Sequence, residues 1–135
     1  MADFRKLRVW RAAQELAIDA NRVASHMHGA RSASLSDQLA RAAISVPSNI
    51  VEGSAHTSPR EFARFLRYSL ASATEVEGHA LLARDLGMIN DKDSGALIDR
   101  VVDVRKMLHG LLKKLPATPL RNGKRATEND KAGDG

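Results

Sequence analysis

The chain has 135 residues, of which 43% are hydrophobic and only 4% aromatic, and its formal net charge is +5. A domain of this length can bury a sizeable core, and its many Ala and Leu residues favour close-packed helices over a sheet. Cysteine is absent, which excludes disulfides, thiolate metal sites and a thiol nucleophile. The N-terminus lacks the apolar core of a signal peptide, and no run approaches the roughly 20 apolar residues of a membrane span, so we expect a cytoplasmic protein.

The first half of the chain predicts two helices. Apolar residues recur at helical spacing over residues 7–27, and Gly29 follows where a C-terminal cap belongs. We expect Ser34 or Ser36 to cap the second helix. Its apolar stripe consists of Leu35, Leu39, Ala42, Ala43, Val46 and Ile50.

The third helix has the clearest start signal in the sequence. Ser58 is the predicted N-cap, Pro59 occupies the first helical position, and Glu61 completes a capping box. The apolar period then continues as far as Leu86, and Gly87 follows as a terminator.

The fourth helix is expected to open at Asp91, Asp93 or Ser94 and to end before Pro116. The residues that follow are polar and aperiodic, so residues 116–135 are predicted to be a disordered tail.

Helices of about 20 residues joined by short connections must pack antiparallel to their neighbours. The predicted fold is therefore all-α, an antiparallel up-down-up-down four-helix bundle over residues 1–115. Small residues in the second and third helices allow these two helices to approach closely: Ala42, Ala43, Ala71, Ser72 and Ala73.

Pro47 lies in the middle of the second predicted helix, and the apolar period continues on both sides of it. Proline leaves the carbonyl four residues earlier without its helical partner and costs about 3 kcal/mol within a helix. We therefore expect a bend over residues 43–47 rather than an end, with Ser45 or water near the freed carbonyl of Ala43.

Polar residues form a second stripe beside the apolar stripes of the second and third helices. If this stripe borders the core, Arg41 or Arg67 can pair with Glu52 or Glu75, and such pairs fix register more than they stabilise. The resulting prediction is a structural polar network of Arg41, Asn49, Glu52 and Glu75. The catalytic alternative makes Glu52 and Glu75 a general acid and base in one pocket.

Metal and nucleophile motifs are not found. The two pairs Glu52/His56 and Glu75/His79 have i, i+4 spacing, whereas di-iron bundles use Glu-x-x-His at i, i+3. No serine stands in G-x-S-x-G or S-x-x-K, and the glycine-rich phosphate loops are absent. We expect no metal site, no cofactor and no enzymatic activity.

Basic residues cluster at the starts of the first and third helices. The candidates for binding nucleic acid are Arg5, Lys6, Arg8, Arg11, Arg60, Arg64 and Arg67. Clustered Lys and Arg on a rigid helical scaffold are typical of sequence-independent phosphate binding, although a solvated charged face is an equally good interpretation of these residues alone.

The sequence over residues 4–115 resembles the bacterial four-helix bundle family of 23S ribosomal RNA intervening-sequence proteins. The same superfamily includes the accessory variability proteins of diversity-generating retroelements. The most specific matches are Gln38, Arg41 and Ala42, then the segment SNIVEG at residues 48–53, and Glu61, Phe62, Phe65 and Leu66. In the family pattern a glycine precedes Ser72, Ala73 and Glu75, whereas this chain has Ala71.

The resemblance implies a homopentamer of four-helix bundles without known enzymatic activity. In the retroelement branch the resemblance also implies binding of nucleic acid and of a reverse transcriptase through basic surfaces. We therefore expect a non-enzymatic, oligomeric bundle that binds RNA or a nucleoprotein partner through basic faces. The alternative is an interaction scaffold that acts only through self-assembly and a protein partner.

Overall fold

Four helices in the predicted order make up the fold. The structure, a computed structural model, describes residues 3–116. A short 3₁₀ turn, η1 (Phe4–Lys6), precedes α1 (Arg8–Ser25), α2 (Ser32–Ser54), α3 (Pro59–Asp85) and α4 (Asp91–Lys114). Apart from Pro116, the predicted tail of residues 116–135 lies outside the described residues.

The helices form the predicted antiparallel bundle. Each helix packs against its neighbours in sequence, α4 closes the bundle against α1, and α2 with α3 is the most extensive pair. The predicted stripe of α2 is buried along its whole length, as are the main positions of α1 and α4. The predicted stripe of α3 is buried at Phe62, Phe65, Leu66, Ser69, Ala73, Val76 and Ala80, whereas Leu81 is partly buried and Leu86, at its end, is exposed. These outcomes confirm the all-α four-helix bundle.

The predicted start of α2 is wrong, whereas α4 begins at Asp91, one of the predicted residues. Helix α2 begins at Ser32, after Arg31 in a left-handed conformation with φ of 68°, and no side chain caps it. The hydroxyl of Ser36 instead donates to the carbonyl of Ala33. Helix α4 is capped by Asn90, whose Oδ1 accepts from the backbone N–H of Asp93 at 2.7 Å. Asn90 could not be distinguished from Asp91 and Asp93 in the sequence, because Asn and Asp are about equally good N-cap residues.

The start of α3 agrees with the prediction. The Ser58 hydroxyl accepts a hydrogen bond from the backbone N–H of Glu61 at 3.4 Å, and Pro59 is the first residue of the helix. Pro59 needs no hydrogen-bond partner there because the first N–H groups of a helix have none within the helix.

Helix α2 runs without a break through Pro47, as predicted, and Pro47 is buried. The prediction for Ser45 is wrong, because its hydroxyl donates to the carbonyl of Arg41 at 3.2 Å rather than to that of Ala43. A bend of the helix axis over residues 43–47 stays a prediction. The carbonyl of Val46, the residue directly before Pro47, accepts a buried hydrogen bond from the Ser69 hydroxyl of α3 at 2.8 Å.

The close approach of α2 and α3 depends on one glycine. Gly53 is buried at the end of α2, and a Cβ atom added there would lie 2.8 Å from Cβ of Phe65 and 3.0 Å from Cδ1 of Phe62. Real Cβ atoms do not approach other carbons so closely, so any larger residue would push the two helices apart.

We expect Gly53→Ala to destabilise the bundle by about 1–3 kcal/mol, because overpacking outweighs the gain in helix propensity. Gly78→Ala is the matched control, since a Cβ at this position within α3 meets no atom within 4 Å. We expect the control to stabilise by roughly 0.5–1 kcal/mol. Urea unfolding followed by circular dichroism, at one protein concentration, measures both changes. Equal stability of the two variants would contradict the packing constraint.

Candidate nucleic-acid interface

The antiparallel order brings both predicted basic clusters to one end of the bundle. The start of α1, the end of α2, the start of α3 and the end of α4 share this end. We call it the basic end and define it as residues 3–16, 43–72 and 103–116. The opposite end comprises residues 17–42 and 73–102.

Charge is distributed very unequally between the two ends. The basic end has eleven Lys and Arg against five Asp and Glu, a formal charge of +6. The opposite end has six Lys and Arg against eight Asp and Glu, a formal charge of −2. The overall charge of the chain therefore conceals a bundle with a strongly positive end, which is the arrangement that attracts a polyanion.

The two ends also differ in the share of their basic side chains that form ion pairs, which is smaller at the basic end. At the opposite end, Arg22, Arg41, Arg84 and Arg100 each have a carboxylate within 4.0 Å. At the basic end, eight exposed basic side chains have no carboxylate of the described residues within that distance. These eight are Lys6, Arg8, Arg11, Arg60, Arg67, Lys106, Lys113 and Lys114.

The first group of basic residues, the α1 cluster, comprises Arg5, Lys6, Arg8 and Arg11. These four side chains line a cleft of about 400 Å³ between α1 and α4. Arg5 is bound to Asp3, with 3.1 Å between its Nε and the carboxylate. This hydrogen bond lowers the pKa of Asp3 and raises the pKa of Arg5. The remaining three residues of the cluster are free of ion pairs within residues 3–116.

Helix α4 adds lysines to this corner that were not among the predicted candidates. Lys114 lines a second cleft, of about 350 Å³, together with Lys6 and Arg8. Lys113 lies in the same last turn of α4. Cations there also interact favourably with the C-terminal end of the helix dipole. The antiparallel packing of α1 and α4 was the signal for this grouping, because it places the last turn of α4 beside the first turn of α1.

The second group, the α3 cluster, comprises Arg60, Arg64 and Arg67. Arg64 is already engaged, because its Nη2 lies 2.8 Å from Oε1 of Glu61 and its Nη1 donates to the Tyr68 hydroxyl at 2.8 Å. Arg60 and Arg67 are exposed, and no carboxylate in the described part of the chain lies within 4.0 Å of either guanidinium. Helices α1 and α3 lie diagonally in the bundle, so the two clusters occupy opposite corners of the same end.

Within residues 3–116, the four side chains of the predicted structural polar network do not bond to one another. Arg41 pairs with Asp37 on its own helix at 3.0 Å, with its side chain 79% exposed. Asn49 donates to the carbonyl of Ser45 at 2.8 Å. Glu75 pairs with His79 at 3.3 Å, and Glu52 is exposed at the basic end. The polar stripes of α2 and α3 border solvent rather than each other. Arg41, Asn49 and Glu75 therefore bond to groups one turn away on their own helix, not to the predicted partners on the other helix.

The ion pairs that do connect helices involve other residues. Arg105 of α4 binds Glu77 of α3 in a partly buried pair. Arg100 of α4 lies 3.5 Å from Asp19 of α1 and 3.6 Å from Glu15. These pairs were not predicted, because the sequence does not show which charged side chains beside an apolar stripe face a partner on another helix.

An apolar groove separates α1 from α2 on the outer surface. Its volume is about 690 Å³, and its apolar lining includes Trp10, Ile18, Ile44, Pro47 and Val51. Ile18 is 64% exposed and Ile44 is 50% exposed. Two large apolar side chains are therefore exposed to solvent in one groove.

The catalytic alternative requires Glu52 and Glu75 in one pocket. Glu52 lines the apolar groove and Glu75 does not. Within residues 3–116, no group of three or more His, Asp or Glu side chains is arranged to hold a metal ion. None of the described helices is both long and apolar enough to cross a membrane.

A protein-family model matches most of the chain. Residues 5–110 match the model of the 23S rRNA-intervening sequence protein family. The chain belongs to this family. Family membership confirms the resemblance carried by the segments around residues 38–53 and 61–66. In the structure these segments meet, since Gly53 lies directly against Phe62 and Phe65.

A solved structure supports the same fold. It is a protein of unknown function from the S23 ribosomal protein family of Bacteroides thetaiotaomicron, with a TM-score of 0.71 and 20% sequence identity. The match covers 78% of this chain and 99% of the other. No curated protein matches this member of the intervening-sequence family.

Glu61 provides a direct test of the geometry at the start of α3. Its hydrogen bond to Arg64 is the main reason why the pKa of Glu61 is lowered. A lowered carboxyl pKa stabilises the fold above the ordinary carboxyl pKa, and this small contribution is lost as pH falls through the lowered value. We expect Arg64→Met to raise the pKa of Glu61 towards its ordinary value.

Carbon-13 NMR titration of the Glu61 carboxyl measures this shift. Arg67→Met is the control, because Arg67 makes no hydrogen bond to Glu61. An unchanged Glu61 titration in Arg64→Met would contradict the pairing.

Proposed function

We propose that this chain is a non-enzymatic RNA-binding protein of the cytoplasm, which contacts RNA phosphates through the basic end of its bundle. The observation that carries the proposal is a group of eight exposed Lys and Arg side chains at an end of charge +6, none of which has a carboxylate partner within residues 3–116. Phosphate binding needs such free cations, whereas cations already neutralised by carboxylates add little. The description of the matched family, which refers to 23S rRNA, agrees with RNA as the polyanion.

The geometry favours contacts with the RNA backbone rather than sequence readout. Two corners of one end present cations, the α1 cluster with Lys114 on one side and the α3 cluster on the other. A duplex or folded RNA laid across this end would release counterions at both corners. Affinity would therefore fall steeply with salt.

A pair of variants with the same charge change tests the role of the basic end. Arg8→Glu/Arg11→Glu alters two free cations at the basic end. Arg31→Glu/Lys92→Glu alters two exposed cations at the opposite end, which have no carboxylate within 4.0 Å among residues 3–116. Helices of this length span about 35–40 Å, far beyond the roughly 8 Å screening length at physiological salt. The control therefore leaves the field at the basic end almost unchanged.

We expect the basic-end variant to bind a structured RNA hairpin at least about tenfold more weakly and with a salt slope lower by about two. The control variant is expected to bind nearly as the original protein does. Fluorescence anisotropy between about 50 and 200 mM salt measures both affinity and slope. Equal losses in the two variants, or no binding by the original protein at low salt, would overturn the proposal.

We also propose that the apolar groove is a contact between copies of this chain. A second exposed apolar pair lies away from the groove: Leu82 of α3 is 48% exposed, and Leu86, the residue that follows this helix, is 57% exposed. Two separate apolar surfaces suit a heterologous interface, which closes into a ring when the rotation between copies allows it. The resemblance implies five copies in that ring.

Light scattering tests the assembly. We expect a mass close to five times 14.7 kDa for the original protein and 14.7 kDa for Ile18→Glu/Ile44→Glu. Ala96→Glu is the control, because Ala96 is exposed on α4 and does not line the groove. A monomeric original protein, or a double variant that assembles unchanged, would contradict this interface.

A further inference from the structure

The start of α3 carries an ordered group of aromatic rings at the basic end. The rings of His56 and Phe65 are stacked, with 5.2 Å between centroids and 16° between planes. The Tyr68 ring meets Phe65 edge-on at 5.6 Å and 89°. Phe65 is buried, with 8% of its surface exposed, whereas Tyr68 is 45% exposed. The outer ring of the group therefore faces solvent.

Arg64 holds the Tyr68 ring in place. Its guanidinium carbon lies 4.9 Å from the centroid of Phe65 and 5.4 Å from that of Tyr68. The same guanidinium donates to the Tyr68 hydroxyl at 2.8 Å and is fixed on its other side by Glu61. A side chain ordered before binding loses less conformational entropy when a ligand covers it.

Free cations flank this ring. Arg60 and Arg67 point from the same exposed side of α3 as Tyr68, because positions 60, 64, 67 and 68 fall on one face of a helix. Neither arginine has a carboxylate within 4.0 Å among the described residues, whereas Arg64 does. Arg64 is therefore the positioning residue, and Arg60 and Arg67 remain for an anionic ligand.

We propose that Tyr68 is a stacking site for an unpaired RNA base, with Arg60 and Arg67 holding the adjacent phosphates. This inference rests on the proposed function and narrows its ligand to RNA with single-stranded loops or ends. A π-face beside free cations is the combination that binds single strands without sequence preference. Bases inside a duplex are covered on both faces by their neighbours, whereas unpaired bases in loops and single-stranded overhangs are open to such a ring.

The ring itself is not needed to build the core. Its neighbour Phe65 fills the space against Gly53, and the core cluster of buried side chains is complete without Tyr68. Tyr68→Leu therefore removes the π-face and the hydroxyl while keeping an apolar side chain of good helix propensity. Tyr68→Phe keeps the π-face and removes only the hydroxyl.

Two RNA probes separate this inference from the proposed function. One is a hairpin with 2-aminopurine in its loop, and the other is a blunt duplex of the same stem sequence. We expect Tyr68→Leu to bind the hairpin about tenfold more weakly and the duplex as the original protein does, since loss of one stacked base costs about a factor of ten. Tyr68→Phe is expected to bind the hairpin within about threefold of the original protein.

A second measurement does not depend on a change at position 68. The chain has one tyrosine and one tryptophan, so Trp10→Phe leaves Tyr68 as the sole strong emitter. We expect its emission to be quenched by the hairpin and not by the duplex. The stacking site is overturned if the hairpin does not quench Tyr68 emission and Tyr68→Leu binds the hairpin as tightly as the original protein does. RNA binding by the basic end would stand in that case. Failure of the original protein to bind either probe at low salt overturns both proposals.

Discussion

The close approach of α2 and α3 is the constraint on which the rest of the structure depends. Gly53 leaves room for Phe62 and Phe65, and the Ser69 hydroxyl reaches the carbonyl of Val46 across the same interface. Together these contacts fix the start of α3 against the end of α2. Because the start of α3 is fixed, the positions of Arg64 and of the Tyr68 ring are fixed with it.

The position of Ser69 shows how a polar group is accommodated in this interface. Its side chain is fully buried, and burial of a hydroxyl without a partner is costly. Val46 O satisfies it, next to the position where Pro47 disturbs the hydrogen-bond ladder of α2. The proline and the serine thus belong to one local arrangement, which joins the two helices that carry the most specific family segments.

Most of the fold follows from periodicity and caps in the sequence, as the buried stripe of α2 and the Ser58 cap of α3 illustrate. The parts that did not follow depend on three-dimensional neighbours. Asn90 was missed because several good caps stand in succession, and the partner of Arg41 was misassigned because periodicity does not tell which margin of a stripe is covered. The basic clusters were found from sequence, but their union with Lys114 at one end required the topology.

The same topology gives the molecule an electric dipole along its long axis, with +6 at one end and −2 at the other. In dilute salt, where screening extends to about 30 Å, a polyanion that approaches the molecule would therefore turn it basic end first before any contact forms. Added salt shortens the range of this orientation and leaves the contacts themselves to select the pose.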